Sequence, residues 1–371
     1  MPPSTYIRCS RCVMDTTDPE IAFDADGVCS HCHSYDMIQA RYGIPADRRE
    51  ELLAQSIQRI KDEGRGKKYD CIIGLSGGVD STYVALKVKE LGLRPLAVHM
   101  DGGWNSELAV SNVENIIDRL GIDLFTCVVE WDEMRDLQLS FFRSGVPNCD
   151  IPQDHAIVAA LHLAASAFGV RTIVRGVNFA TESVLPRAWG YTSMDLHHIR
   201  AIHRRYGRVK LKTFPVCSIF KLAYFHMVKK ISYFDILNYL EYDKDLAKQV
   251  IINKLGWRDY GGKHHESLFT KFFQSYYLVK KFGFDKRLAH LSNLVLAGAM
   301  TRDLALKELE KPAYDERKIN QEINFVANKL EIKVEELEQI LSAPPRLHKE
   351  FPTQDFLISS NFGTRIRKLF K

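Results

Sequence analysis

A chain of 371 residues is long enough for two domains and a small appendage. Apolar residues at 46% against 26% charged exclude long disorder. A net charge of +5, from 51 Lys+Arg and 46 Asp+Glu, is too small for a nucleic-acid coat. No apolar run reaches the roughly 20 residues of a membrane span, and no apolar signal core follows Met1. The expected setting is the cytoplasm, without nucleic-acid binding or membrane insertion.

Residues 1–45 hold four of the eight cysteines, at Cys9, Cys12, Cys29 and Cys32. Two C-x-x-C knuckles separated by 16 residues fit a structural zinc site. Each knuckle turns two thiolates toward one point, and two knuckles complete a tetrahedron. His31 and His33 are alternative ligands, and an iron–sulfur cluster is the alternative metal. Arg8 and Arg11 flank the first knuckle, but Asp15, Asp18, Glu20, Asp24 and Asp26 would repel nucleic-acid phosphates.

A polar helical stretch, 47–63, follows and ends at Gly64-Arg65-Gly66. Tyr69 to Ser76 then reads as a buried parallel strand. A helix over 80–91 comes next, then a strand over 95–100 and a helix carrying Val110, Val113, Ile116, Ile117 and Leu120. A third strand over 124–130, an Ala-rich helix over 154–168 and a fourth strand over 172–177 complete the alternation. Strands and helices in this order predict an α/β doubly wound parallel sheet. Beyond about residue 220 the chain reads as mostly helical. The expected units are a 1–45 zinc segment, a 46–220 nucleotide-binding domain and a 221–371 helical region for substrate and partner.

Ser76-Gly77-Gly78-Val79-Asp80-Ser81 lies between a predicted strand and a predicted helix, where backbone N–H groups and the helix dipole favour an anion. The glycines let main chain approach a phosphate, and Ser76 and Ser81 add hydroxyls. Asp80 suits either a magnesium ion beside that phosphate or a helix cap. Neither a Walker A sequence nor a dinucleotide fingerprint is present. Near the other end, Lys263, His264, His265, Lys271, Lys286 and Arg287 are interleaved with Phe269, Phe272, Phe273, Tyr276 and Tyr277. The aromatic spacing suits a core with its cations reaching solvent. It equally suits a pocket for phosphate or carboxylate.

The loop 76–81 resembles the pyrophosphate loop of the PP-loop ATP pyrophosphatases, adenine nucleotide alpha hydrolase-like enzymes that split ATP into AMP and pyrophosphate while adenylating a carbonyl oxygen. That resemblance implies nucleotide contacts from Ser76, Gly77, Gly78, Asp80, Ser81, His99, Met100, Asp101, Arg175 and Gly176, with Lys221 as a phosphate-facing cation. Arg8 to Thr16, Asp101 to Ser106, Gln153 to Ile157, Gly261 to Ser267, Asp285-Lys286-Arg287 and Met300-Thr301-Arg302 together resemble the bacterial N-acetyl sugar amidotransferases of this superfamily. Those enzymes make acetamidino sugars for surface polysaccharide such as lipopolysaccharide O-antigen.

The family resemblance implies catalysis by Asp80, Ser81, Asp154 and Lys221, and sugar binding by Lys263, His264, His265, Lys286 and Arg287. It also implies ATP, Mg²⁺ and structural Zn²⁺. The substrate would be a nucleotide-activated N-acetyl sugar. The ammonia source would be a separate triad-type glutaminase similar to that of histidine biosynthesis, with or without its barrel partner. In keeping with a separate source, Pro2 stands where a fused N-terminal-nucleophile glutaminase needs cysteine, and no cysteine lies in a G-x-C-x-G elbow. The rival reading is a PP-loop tRNA sulfurtransferase, with Cys149 and Cys217 as its candidate thiols.

Overall fold

Four of the five strands among the described residues fall where the apolar runs place them. In the computed structural model, which describes residues 5–261 and 266–354, these are β1 (Cys71–Gly74), β2 (Pro95–Asp101), β3 (Asp123–Val128) and β4 (Thr172–Arg175). The fifth is β5 (Ser232–Asp235). All neighbours pair in parallel, in the order β3-β2-β1-β4-β5. From β1 the chain steps outward through β2 and β3, then returns to β4 and β5 on the other side. This reversal opens a crevice at the carboxyl ends of β1 and β4.

Successive strand residues point to opposite faces. Ile73, Ala97 and Val174 enter one core with Ile57, Ile60, Val84, Val113 and Ile116 from the helices Arg49–Glu63, Val79–Glu90 and Glu107–Leu120. Ile72, Leu96, Val98 and Ile173 enter another with Ala159, Ala160 and Ala164 of the helix Ile151–Ala167. Small alanines let that helix lie close to the sheet. Cys71, Ile72 and Ile73 are wholly buried, as a central strand covered on both faces requires.

The layers interleave in sequence more than the chain's composition suggests. The strand β5 lies past residue 220, and the helix Lys244–Leu255 packs Ala247, Ile251 and Leu255 into the sheet's own core. β1 and β4 are equally short but lie in apolar runs, whereas β5, Ser-Tyr-Phe-Asp, lacks one. Conversely, the helices Trp131–Ser144 and Leu196–Tyr206 leave the sheet. Their Phe141, Phe142 and Ile199 share an aromatic core with Phe269, Phe272, Phe273 and Tyr277.

The N-terminal segment is equally integrated. It contains the helix Ser30–Tyr42, whose weak apolar periodicity concealed it. Its cysteines and Met14 pack on Val184, Trp189, Leu288 and Ala289. The Arg302 guanidinium donates to the carbonyls of Cys12 at 3.0 Å and Cys9 at 2.9 Å, and Val13 N–H donates to Ser292 Oγ at 3.2 Å.

One buried carboxylate secures the crossing chain 212–214 to the helix Trp131–Ser144. Glu133 accepts backbone N–H bonds from Lys212, Thr213 and Phe214, the shortest 2.7 Å. Burial pushes its pKa up, but the three amides outweigh burial and hold it below the usual range. A Glu133→Gln variant should lose about 2 kcal/mol at neutral pH, because an amide cannot accept from all three donors. A depressed pKa stabilises above the unfolded-state value, about 4.3, and that stabilisation is lost as pH falls through the folded value. The difference between the urea unfolding midpoints of the two proteins should therefore be full above about pH 4.3 and shrink as the pH is lowered further.

Candidate active site

The loop after β1 is knotted onto itself. Gly78 N–H donates to Ser76 Oγ at 3.2 Å, Ser76 N–H to Ser81 Oγ at 3.3 Å, and Ser81 Oγ–H to the Gly78 carbonyl at 3.1 Å. Gly77 has φ +80°, and a Cβ there would meet the Ala109 carbonyl oxygen at 2.7 Å. No larger residue fits. The loop opens the helix Val79–Glu90, whose N-cap is Gly78 with no side-chain cap. The capping role is thus excluded for Asp80, which instead accepts from the Tyr242 hydroxyl. Trp257 Nε1–H holds the Gly77 carbonyl at 2.8 Å.

The neighbouring strand ends close around this loop. His99 Nδ1–H donates to the Leu75 carbonyl at 2.7 Å, and its Nε2 faces Asn105 Nδ2 at 3.1 Å. Asp101 accepts from Asn105 Nδ2 at 3.2 Å and from Gly103 N–H at 2.9 Å. These bonds commit His99 and Asp101 to shaping the turn after β2. At the end of β4, a Cβ on Gly176 would lie 3.3 Å from Asp80 Cβ. Arg175 forms a two-bond ion pair with Asp235, at 2.7 and 2.8 Å. Its guanidinium lies 3.8 Å from the centroid of the Tyr233 ring. Arg175 therefore bridges β4 to β5, so its fork is already engaged.

A cavity of about 1490 Å³ opens from the loop toward the helical body. Ser76, Met100 and Asn105 line its sheet side; Asp154, Glu266 and Lys286 line its helical side. Thr16, Thr17 and Pro19 of the cysteine-bearing segment close another wall. The chain joins the two sides where Ser106 N–H donates to the Glu266 carbonyl at 2.9 Å and Asn105 bridges Ser267. A Cβ on Gly78 would lie 3.2 Å from the Tyr260 hydroxyl and 3.4 Å from Glu266 Oε1, so the loop and the helical body meet directly.

The remaining expected site residues distribute unevenly. Lys286 faces the cavity, its ammonium 5.8 Å from the Phe273 ring centroid. Arg287 instead grips Asp285 and donates to the Lys311 carbonyl at 2.8 Å. Lys221 is exposed on the helix Ile219–Met227, 5.9 Å from the Phe225 ring centroid, and is not among the described residues lining the cavity. Lys263, His264 and His265 lie outside the described residues. Sequence reasoning passed over Asp150 and gave no role to Gln153 and Glu266, which lie within the blocks that carry the family resemblance; all three are at the cavity wall. The spacing of Asp150 and Asp154, one helical turn apart, was the signal for the first.

The two thiols that a sulfurtransferase would use are unsuited to it. Cys149 and Cys217 are wholly buried. Burial pushes the Cys149 thiol well up and the Cys217 thiol to about 12. A catalytic cysteine needs the opposite shift and access to its substrate.

Cys9, Cys12, Cys29 and Cys32 converge as a cluster with all four sulfurs within 4.8 Å of one another. The Sγ–Sγ distances are 3.7 Å for Cys9–Cys32 and 3.6 Å for both Cys12–Cys29 and Cys29–Cys32. Zn–S bonds of about 2.3 Å in a tetrahedron place sulfurs about 3.8 Å apart. Backbone N–H groups of Arg11, Cys12 and Cys29 donate to Cys9 Sγ, and that of Met14 to Cys12 Sγ. The donor set fits zinc, and its burial against Trp189 and Leu288 gives a closed, structural environment.

Residues 51–138 match the family model described as NAD synthase. Residues 266–367 match that of the LPS biosynthesis protein WbpG-like, C-terminal domain. An uncharacterized protein of Methanocaldococcus jannaschii, MJ1599, is 21% identical over 313 residues, 82% of this chain and 94% of that protein. Among solved structures, the NH3-dependent NAD synthetase of Campylobacter jejuni is 16% identical with TM-score 0.29, covering 57% of this chain and 84% of that one. The NMN synthetase of Francisella tularensis is 15% identical with TM-score 0.30, covering 62% and 93% respectively. Similarity at those scores adds nothing to the two family matches. Residues 51–138 thus carry an NAD synthase-type PP-loop domain, in keeping with the parallel sheet, and residues 266–367 a WbpG-like C-terminal domain.

Proposed function

We propose that this protein is an ATP-dependent amidotransferase that converts the acetamido group of a nucleotide-linked sugar to acetamidino, for bacterial surface polysaccharide. The observation that carries the reading is the single cavity that has Ser76 of the phosphate loop on one wall and Lys286 of the WbpG-like domain on another. Such a space admits a nucleotide and a second ligand together. ATP would adenylate the acetamido oxygen, and ammonia would displace AMP. In this scheme Ser76, Ser81 and the N-terminus of the helix Val79–Glu90 hold the departing pyrophosphate. Asp80 stands at that same N-terminus, where a bound magnesium ion would offset charge on the phosphates. Lys286 supplies a cation for a carboxylate or phosphate of the sugar nucleotide. Asp154 faces the same space. Zinc at the four cysteines would hold the wall that carries Thr16, Thr17 and Pro19.

Ammonia would come from a separate triad-type glutaminase, because this sequence carries no nucleophile elbow. No described helix is long and apolar enough to cross a membrane. A cytoplasmic setting follows from the proposed use of ATP and nucleotide sugars.

The direct test incubates UDP- and CMP-linked N-acetyl sugars, uronic acids included, with the protein, MgATP and either ammonium or glutamine. Mass spectrometry should find one sugar about 1 Da lighter, oxygen replaced by NH, with ammonium and not with glutamine. Absence of that product across the panel, or glutamate release by the protein alone, contradicts the scheme. Asp80→Ala and Ser81→Ala should each slow AMP formation by roughly 10²–10³ without unfolding the chain. Unchanged AMP release in both would remove the loop from the reaction. Purified protein should also contain about one zinc per chain by elemental analysis, and Cys32→Ser should lower both zinc content and melting temperature. Well-folded protein without zinc would refute the metal assignment.

A further inference from the structure

Asp150 occupies a position whose chemistry the fold leaves unexplained. It is the N-cap of the helix Ile151–Ala167, yet its side chain makes no capping bond. An aspartate at an N-cap ordinarily accepts from the second or third amide of its helix. This one lies against the cavity instead, only 6% exposed, with Oδ1 buried and without a hydrogen-bond partner. A buried carboxylate oxygen left unpaired is costly, so it signals a missing ligand. Asp154 and Glu266 add two negative charges nearby, and Lys286 supplies one positive charge. Thr270 on the helix Leu268–Phe272 presents its hydroxyl. Among the described residues, carboxylates crowd the unpaired Asp150 Oδ1, surroundings that suit a small monocation. The same cavity reaches Ser76, where the phosphates of the proposed adenylate would lie.

Building on the proposed amidotransferase reaction, we infer that Asp150 binds the incoming ammonium ion and takes a proton from it. The freed nitrogen lone pair forms the new C–N bond at the imidate carbon. The C–O bond to AMP breaks, and its electron pair leaves on the phosphate oxygen. A second proton passes from the attacking nitrogen to the sugar nitrogen, so the product is an amidinium cation beside Asp154 and Glu266. Asp150 then returns its proton to solvent. Its environment favours proton acceptance near neutrality. Burial first, then the charge of Asp154, raises the carboxyl pKa to about 7, against the pull of Thr270 and Lys286. An acceptor near the working pH is more effective than an ordinary carboxylate.

The test compares ammonium with hydroxylamine, a nucleophile already uncharged at neutral pH, on whichever panel sugar the wild-type protein converts. Asp150→Asn should keep ATP–pyrophosphate exchange. It should lose roughly 10²-fold or more in ammonium-driven amidination, yet retain most of the hydroxylamine-driven rate. Asp150→Glu should recover part of the ammonium rate. In the wild type, the ratio of ammonium- to hydroxylamine-driven rates should be level above about pH 7 and fall below it; in Asp150→Asn, which must use free ammonia, the ratio should instead keep rising toward about pH 9. Equal loss with both nucleophiles, or no loss with ammonium, overturns the assignment. Should Asp150→Asn not fold, Asp150→Glu decides through the same ratio and its pH profile, and an unchanged ratio and profile overturn it. A wild-type protein that converts no sugar defeats the amidotransferase reading itself, an outcome distinct from a variant that behaves like wild type.

Discussion

Everything at this site depends on holding the 76–81 loop rigid at the point where β1 and β4 diverge. Parallel strands covered on both faces leave their carboxyl ends as the open surface, so that is where a ligand can enter. The loop's shape there is over-determined. The Gly77 backbone packs against that of Ala109, Trp257 ties its carbonyl, and Ser76 and Ser81 close the turn from within. A phosphate can be stabilised only by groups that need not reorganise when charge develops. Trp257, Tyr242 and Tyr260 all come from beyond β5, so the later part of the chain fixes the nucleotide loop as well as facing it.

The second constraint is the treatment of buried charge. Glu133 is surrounded by three backbone donors and is held ionised as a structural anchor. Asp150 is equally buried but lacks such donors, and its carboxyl is pushed toward neutral pH. Two acidic groups with similar exposed area thus have opposite pKa shifts: amides aimed at Glu133 lower its pKa, whereas burial first and the charge of Asp154 second raise that of Asp150. Among the cations, Arg175 and Arg287 each form an ion pair with an aspartate, and Lys286 lines the cavity.

The cysteine cluster connects these themes over a long stretch of sequence. Its thiolates are buried on the helix Lys286–Leu296, and Arg302 reaches back to the carbonyls of Cys9 and Cys12. A segment with few apolar residues gains order from this docking, which a metal at the four thiols would reinforce. Its position makes it a wall of the cavity that Lys286 also lines, so its integrity and the shape of that cavity are coupled.

Local chemistry made much of this legible in the sequence. Cysteine spacing set the four-thiol cluster, Gly-Gly between a strand and a helix set the loop after β1, and buried apolar runs set four strands, because each is written in adjacent residues. Other features depend on contacts between distant positions, and only the tertiary structure decided them. The four-residue β5 takes its place by pairing with β4, and the helices Trp131–Ser144 and Leu196–Tyr206 choose the aromatic core over the sheet. Arg175, Arg287 and Lys286 are alike as sequence symbols, yet packing engages the first two with aspartates and brings the third to the cavity. Asp150 shows the limit most clearly. Its chemistry comes from burial and from Asp154, Glu266, Thr270 and Lys286 together, and no local pattern encodes the desolvation that their convergence creates.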